Sequence, residues 1–148
     1  MNTKPSILLV DDDLFGAELT LAALTELQLG LPVQLAADGE EALDLLFDRR
    51  KPDSEESGAP FIVLLDLKMP KVDGHEVLRQ IRASEKLRGL RVVILTSSDQ
   101  KADLDLSREL GSDAYLLKPP SIFDLIGEFK KITNLLRPPG GVDTTGAN

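Results

Sequence analysis

The run Phe61-Ile62-Val63-Leu64-Leu65 carries no polar residue on either face of its pleat. A strand of that composition is buried on both sides, the condition of strands in a parallel sheet covered by helices. The run ends on Asp66, where an unpaired buried carboxylate is costly. Asp is also common where a strand gives way to a loop. Asp66 is therefore either a turn residue or a member of a site, and the rest of the chain decides between the two.

Short apolar runs alternate with helical patterns along the whole chain. Ile7 to Val10 reads as a buried strand, followed by a helix from Leu14 to Gln28 with Asp13 as N-cap and Gly30 as its stop before Pro32. Val33 to Ala36 reads as a second strand, and Asp38 caps a helix from Glu40 to Asp48. After the Phe61 to Leu65 strand, His75 to Ala83 places Val77, Leu78 and Ile81 at helical spacing. Arg91 to Leu95 reads as a fourth strand, then a helix from about Gln100 to Leu110 that Gly111 ends, then a strand from Ala114 to Leu117. Ser121 caps a last helix on which Ile122, Leu125, Ile126, Phe129, Ile132 and Leu136 form one stripe. Such alternation implies βαβ units and an α/β fold with a parallel sheet.

Two segments fall outside this pattern. "RRKPDSEESGAP", residues 49–60, reads as a polar loop, long for a compact connection. "PPGGVDTTGAN", residues 138–148, reads as a frayed tail after a single domain over residues 1–137. A chain of 148 residues leaves no room in this reading for a second, output domain.

Composition narrows the function. The net charge of −8, with no Lys/Arg stripe, argues against nucleic-acid binding. The absence of cysteine removes disulfides, thiolate metal sites and cysteine nucleophiles together. "MNTKPSILLVDDD" is neither a signal peptide nor a membrane span, so a soluble cytoplasmic protein is expected.

In open α/β sheets, sites form beyond the carboxyl ends of the strands. The first strand delivers Asp11, Asp12 and Asp13 to that rim, and the third delivers Asp66. The fourth delivers Thr96, Ser97 and Ser98, and the fifth delivers Lys118 before Pro119. Carboxylates gathered closely repel unless a cation joins them. Oxygen ligands alone favour a hard ion such as Mg²⁺. The cation, Lys118 and the Thr96 hydroxyl together suit a phosphoryl group, so Asp66 reads as a nucleophile that takes up phosphate as an acyl phosphate. Three acids in a row exceed what a helix cap requires; Asp13 is given to the cap.

"ILLVDDD", "VLLDLKMPKVDG", "VVILTSSD" and "AYLLKPPSIFDL" together resemble the receiver domains of two-component response regulators, over about Lys4 to Leu136. The intervals Asp66 to Thr96, thirty positions, and Thr96 to Lys118, twenty-two, are those of the family. The resemblance implies a (βα)₅ doubly wound sandwich with strand order 2-1-3-4-5. It implies that Asp66 is the phosphoacceptor, that Asp12 binds Mg²⁺ directly and Asp11 through water, and that the Lys68 carbonyl is a further ligand. Thr96 would bond the phosphoryl group and move with it, Lys118 would pair with it, and Tyr115 would swing inward on activation. Gly74 follows Asp73 where close backbone approach or positive φ is plausible, and Lys118-Pro119 is usually cis in this family. The function implied is a stand-alone receiver, signalling rather than enzymatic, which takes phosphate from a histidine kinase and acts through altered protein contacts. The acidic chain and its loop before the third strand resemble regulators paired with bacterial phytochrome kinases. A phosphotransfer protein downstream is a further partner of that kind.

The rivals are a receiver fold that is no longer phosphorylated and serves as an interaction module, an aspartyl-phosphate phosphatase and a flavin binder. The phosphatase would need a second Asp where Lys68 stands, and scarce aromatics offer little to stack on a flavin. Lys68 and Ser98 flank the expected path of the hydrolytic water without a group to orient it, so rapid self-dephosphorylation is not expected; Ser97 is small enough to leave phosphate access open. His75 reads as exposed and unpartnered. Leu104 and Leu135 fall off the inner stripes of the fourth and fifth helices, which suggests a homodimer through the surface of fourth helix, fifth strand and fifth helix.

Overall fold

The computed structural model of the chain describes residues 4–47 and 57–138. The elements alternate as β1 (Lys4–Val10), α1 (Leu14–Glu26), β2 (Val33–Ala36), α2 (Gly39–Leu46), β3 (Ser57–Leu65), α3 (Gly74–Ala83), β4 (Arg91–Thr96), α4 (Lys101–Glu109), β5 (Ala114–Leu117) and α5 (Ile122–Lys130). The strands pair in parallel, in the expected order β2-β1-β3-β4-β5. Asp13, Asp38 and Ser121 accept backbone N–H bonds as N-caps of α1, α2 and α5.

Alternation along each strand divides the core into two layers. Ile7 and Leu9 lie with Ile62, Leu64, Val93 and Leu95 against α1 and α5, where Leu24, Leu125 and Phe129 are buried. Leu8 and Val10 lie with Val63, Leu65, Val92 and Ile94 against α2 and α3, meeting Leu43, Leu46, Leu78 and Ile81. Register aligns the layers, pairing Ile7 with Ile62, Leu8 with Val63 and Leu9 with Leu64.

Several boundaries and faces differ from the sequence reading. β3 begins at Ser57, so only residues 49–56 of the expected loop lie outside the described residues, as do residues 139–148 of the expected tail. Pro60 cannot donate to a ladder, and the β1–β3 pairing accommodates it with register shifts on either side of Ser6. On α4 Leu104 does not stand apart from a buried leucine stripe, as the sequence suggests. Ser107 is the buried residue, Ala102 is exposed, and Leu104, Leu106 and Leu110 are half-buried. The cause is polar: His75 of α3 reaches Ser107 Oγ at 3.0 Å, so these helices meet through a hydrogen bond.

The last helix also ends early, at Lys130, and continues as turns. The N–H groups of Ile132 and Leu135 bond back three residues, to Phe129 and Ile132. Three residues per turn bring Phe129, Ile132 and Leu135 onto one side. Leu135 therefore packs against the core instead of standing off it. Arg91 accepts this segment at its end, donating to the carbonyls of Leu135 and Arg137.

Arg82 on α3 ties three segments together. Its guanidinium donates to the carbonyls of Gly111, Arg88 and Leu90 and to Asp113 Oδ2, and Asp113 Oδ2 also accepts the Val92 N–H. The start of β4 and the start of β5 are thereby held against α3.

Thr20, on the buried face of α1, has a hydroxyl with no hydrogen-bond partner among the described residues. An unsatisfied buried hydroxyl costs free energy that its removal recovers. Thr20→Val, which keeps the branched shape, is expected to raise the unfolding free energy by about 1 kcal/mol in a urea titration. A loss of stability would show that the hydroxyl is satisfied in solution.

Candidate functional site

Pairing at the ends of β1 and β3 sets the acidic residues side by side. The Asp11 N–H donates to the Ala36 carbonyl and the Asp66 N–H to the Val10 carbonyl, each at 3.1 Å, so the ladders run one residue past the strands. Asp11 is buried, Asp66 half-buried and Asp12 exposed. Carboxylate oxygens of all three lie within 4.8 Å of one another. Asp13 turns away to cap α1, and its N–H donates to Asp11 Oδ1 at 2.9 Å.

Lys118 enters this cluster from the end of β5. Its Nζ lies 2.8 Å from Asp11 Oδ2 and 3.4 Å from Asp66 Oδ2, with its own N–H held by the Thr96 carbonyl at 2.7 Å. Burial would push the ammonium pKa down. The Asp11 hydrogen bond and the charges of Asp66 and Asp11 outweigh it and hold the group above its ordinary value. Lys118 thus stays charged, yet one cation faces three carboxylates. Oxygen donors alone and a net negative balance fit a hard divalent cation, and this cluster could hold one.

The loop after β3 is pressed onto the start of α3. A Cβ on Gly74 would stand 2.3 Å from the Asp66 carbonyl oxygen and 2.8 Å from Leu67 Cα. Of the two readings of this glycine, close backbone approach is the one that holds. The Gly74 N–H also donates to the Leu67 carbonyl, and Asp73 caps the helix.

Thr96 is fully buried on the same rim, its Oγ1 accepting the Ser98 N–H at 3.3 Å. Tyr115 is half-buried among the α2–α3 layer and donates its hydroxyl to the Ser98 carbonyl at 2.8 Å. Burial pushes its phenol pKa up, against the opposing Ser98 hydrogen bond. The Lys68 N–H faces Asp66 Oδ1 at 3.4 Å, while its side chain runs outward to Asp103 Oδ2 at 3.2 Å. Ser98 Oγ donates to the same Asp103 oxygen. That hydrogen bond, with smaller help from the Lys68 charge, holds the Asp103 carboxyl below its ordinary value despite partial burial.

The structure therefore gathers Asp11, Asp12, Asp66 and Lys118 directly, and links Thr96, Lys68 and Tyr115 through Ser98 and Asp103. Sequence reasoning missed Asp103, because an acid in the first turn of a helix is ordinary. Two expectations are corrected. His75 is half-buried, with Nε2 at 3.0 Å from Ser107 Oγ and 3.3 Å from the Asp103 carbonyl, since α3 and α4 close over it. No described peptide bond is cis, Lys118-Pro119 included, so that bond takes the trans form that X–Pro bonds favour. No helix among the described residues is long and apolar enough to cross a membrane.

The chain is similar to known proteins. The response regulator receiver domain model matches residues 7–130. The probable methanogenesis regulatory protein FilR2 of Methanothrix harundinacea is 43% identical over 119 residues, covering 80% of this chain and 75% of that protein. Response regulator MprA of Mycobacterium sp. strain KMS is 35% identical over 138 residues, and the chain spans about half of its length, 54%. Among solved structures, the bacteriophytochrome response regulator AtBRR is 45% identical with a TM-score of 0.73, covering 91% of this chain and 94% of that one. The bacteriophytochrome response regulator RtBRR is 43% identical with a TM-score of 0.75, covering 95% and 79%. The Mn(2+)-bound form of response regulator Rcp1 is 32% identical with a TM-score of 0.75, covering 88% and 93%. Such receivers are signalling proteins that undergo their own phosphorylation and dephosphorylation, not enzymes acting on a separate substrate. On its sheet order, its acidic rim and these matches, the chain belongs to the response regulator receiver domain family.

Proposed function

We propose that the domain over residues 1–137 accepts a phosphoryl group on Asp66 from a histidine kinase and signals by altered protein contacts. The observation that carries this reading is the convergence of Asp66 with Asp11, Asp12 and Lys118 at one strand-end rim. In the transfer, a carboxylate oxygen of Asp66 forms the new bond to phosphorus, and the phosphorus–nitrogen bond of the donor imidazole breaks with its electron pair returning to nitrogen. The Lys118 ammonium, freed in part from Asp66, pairs with the transferred oxygens, and the Thr96 hydroxyl leaves the Ser98 N–H to bond them. Asp11, Asp12, Asp66 and the Lys68 carbonyl would hold Mg²⁺. Bound there, the ion supplies Lewis-acid neutralisation of the phosphoryl charge. That the similar response regulator Rcp1 has an Mn(2+)-bound form supports a divalent ion in this reading. Tyr115, tied to Ser98, is the group we assign to follow Thr96 inward.

A protein donor is favoured over a small molecule by the surface around the rim. Leu14 and Phe15 on the first turn of α1 and Phe123 on the first turn of α5 stand 67%, 74% and 80% exposed. The similarity to two bacteriophytochrome response regulators supports a phytochrome kinase as that donor; a cytoplasmic setting and a downstream phosphotransfer protein belong to the same proposal. Radiolabel transfer from a panel of purified histidine kinases tests the reading. Transfer from a phytochrome kinase supports it; no transfer from any kinase, and none from acetyl phosphate with Mg²⁺, would overturn it.

The α4-β5-α5 surface carries the proposed homodimer. Leu104, Tyr115, Leu117 and Pro119 line a groove of about 690 Å³ there, with Leu117 half exposed. Sedimentation is expected to show a dimer at high concentration; a monomer with and without phosphorylation would remove the proposal.

A further inference from the structure

One carboxylate outside the acidic cluster reaches both loops that border Asp66. Asp103 Oδ2 accepts Ser98 Oγ and lies 3.2 Å from Lys68 Nζ. Lys68 stands two residues beyond Asp66, and its N–H faces Asp66 Oδ1. Ser98 stands two residues beyond Thr96, and its N–H faces Thr96 Oγ1. Each arm of this bridge is therefore anchored, through its own backbone, to an atom of the site. Asp103 is itself well packed, with 16% of its side chain exposed, whereas the Lys68 side chain is 66% exposed and depends on Asp103 for its direction. Its backbone is braced as well, because the Asp103 carbonyl faces His75 Nε2 on α3.

We infer that Asp103 is a positioning residue that straps Lys68 to Ser98 across the mouth of the site and so slows hydrolysis of the phosphate on Asp66. The inference rests on Asp66 being the phosphoacceptor. In hydrolysis a water oxygen bonds to phosphorus while the bond to the Asp66 oxygen breaks. The released electron pair restores the carboxylate, and both water protons leave on inorganic phosphate as H₂PO₄⁻. The water must arrive on the side opposite the departing Asp66 oxygen. That approach passes between the loops after β3 and β4, which the strap holds together. Without Asp103 the lysine side chain is free to sweep the solvent and the two loops part independently, so water reaches phosphorus more often.

The test labels the full chain with acetyl phosphate and Mg²⁺, removes the donor and follows decay on phosphate-affinity gels. Asp103→Ala is expected to speed decay about two- to fivefold, the span for losing one partly exposed charged contact. Asp103→Asn keeps an oxygen for Ser98 but loses the Lys68 ion pair, and is expected to fall between the two; it also serves if the alanine variant folds poorly. The discriminating measurement repeats Asp103→Ala in a Lys68→Ala, Ser98→Ala background. A strap acting through those two residues gives no further acceleration there, whereas general loosening of α4 gives the same factor in both backgrounds and overturns the inference. Unchanged or slower decay of labelled Asp103→Ala also overturns it, while leaving the acceptor reading intact. Failure of the unaltered chain to label at all overturns the acceptor reading, and the strap with it.

Discussion

Asp66→Asn is expected to take up no phosphoryl group from acetyl phosphate or from a kinase, a loss of at least about 10³-fold in labelling rate. Asparagine keeps the shape of the side chain but has no anionic oxygen to attack phosphorus. The neighbours do not replace it: Asp11 is engaged by Lys118 at 2.8 Å and by the Asp13 N–H, and Asp12 is exposed at the rim's edge. The fold should survive, because Lys118 retains Asp11 after losing its longer 3.4 Å contact, and because one of three mutually repelling carboxylates is gone. A melting temperature at or slightly above that of the unaltered chain, together with absent labelling by mass spectrometry, is the expected pair of results. Labelling at the unaltered rate would place the acceptor elsewhere.

Gly74→Ala is expected to damage stability and labelling together. Its Cβ would stand 2.3 Å from the Asp66 carbonyl oxygen and 2.8 Å from Leu67 Cα, all backbone atoms that cannot rotate aside. Overpacking of this kind costs about 1–3 kcal/mol, more than the roughly 1 kcal/mol that alanine gains over glycine within a helix. Any relief moves the peptide that carries the Asp66 side chain, so labelling should slow even in the folded fraction. Gly127 on α5 is the control: it is exposed, nothing lies within 4 Å of its added Cβ, and Gly127→Ala should stabilise by about 0.5–1 kcal/mol with unchanged labelling. Urea titration and labelling rates measure both. Equal stability of Gly74→Ala and the unaltered chain would mean that the loop after β3 has slack.

Much of this architecture was legible residue by residue. β2 and β5 lie where their apolar runs lie, and Asp13, Asp38 and Ser121 cap the helices that follow them. Strand ends were readable because runs such as Phe61 to Leu65 are apolar at every position, so the first polar residue marks the rim. Where polar groups substitute for apolar ones, the pattern misled. α4 buries Ser107 against His75, and a periodicity of leucines cannot show a helix packed through a hydrogen bond. Leu135 was misplaced because the chain tightens after Lys130, and a change from 3.6 to 3 residues per turn rotates every later side chain. Nothing local distinguishes Arg82 from other helix arginines, because Gly111, Leu90 and Asp113 reach it only through the fold.

The apolar runs alone dictate a parallel sheet covered on both faces, with Asp11, Asp12, Asp66, Thr96 and Lys118 at one edge of it. Hydrophobic burial dictates both, and burial is encoded locally, strand by strand. Folding in three dimensions sets Lys118 on Asp11 at 2.8 Å and less closely on Asp66, and makes Asp103 join Lys68 to Ser98. Lys118 and Asp11 are 107 positions apart along the chain. Their contact depends on sheet register and helix packing summed over every element between them, and hydrogen bonds are sensitive to tenths of an ångström that no local pattern specifies.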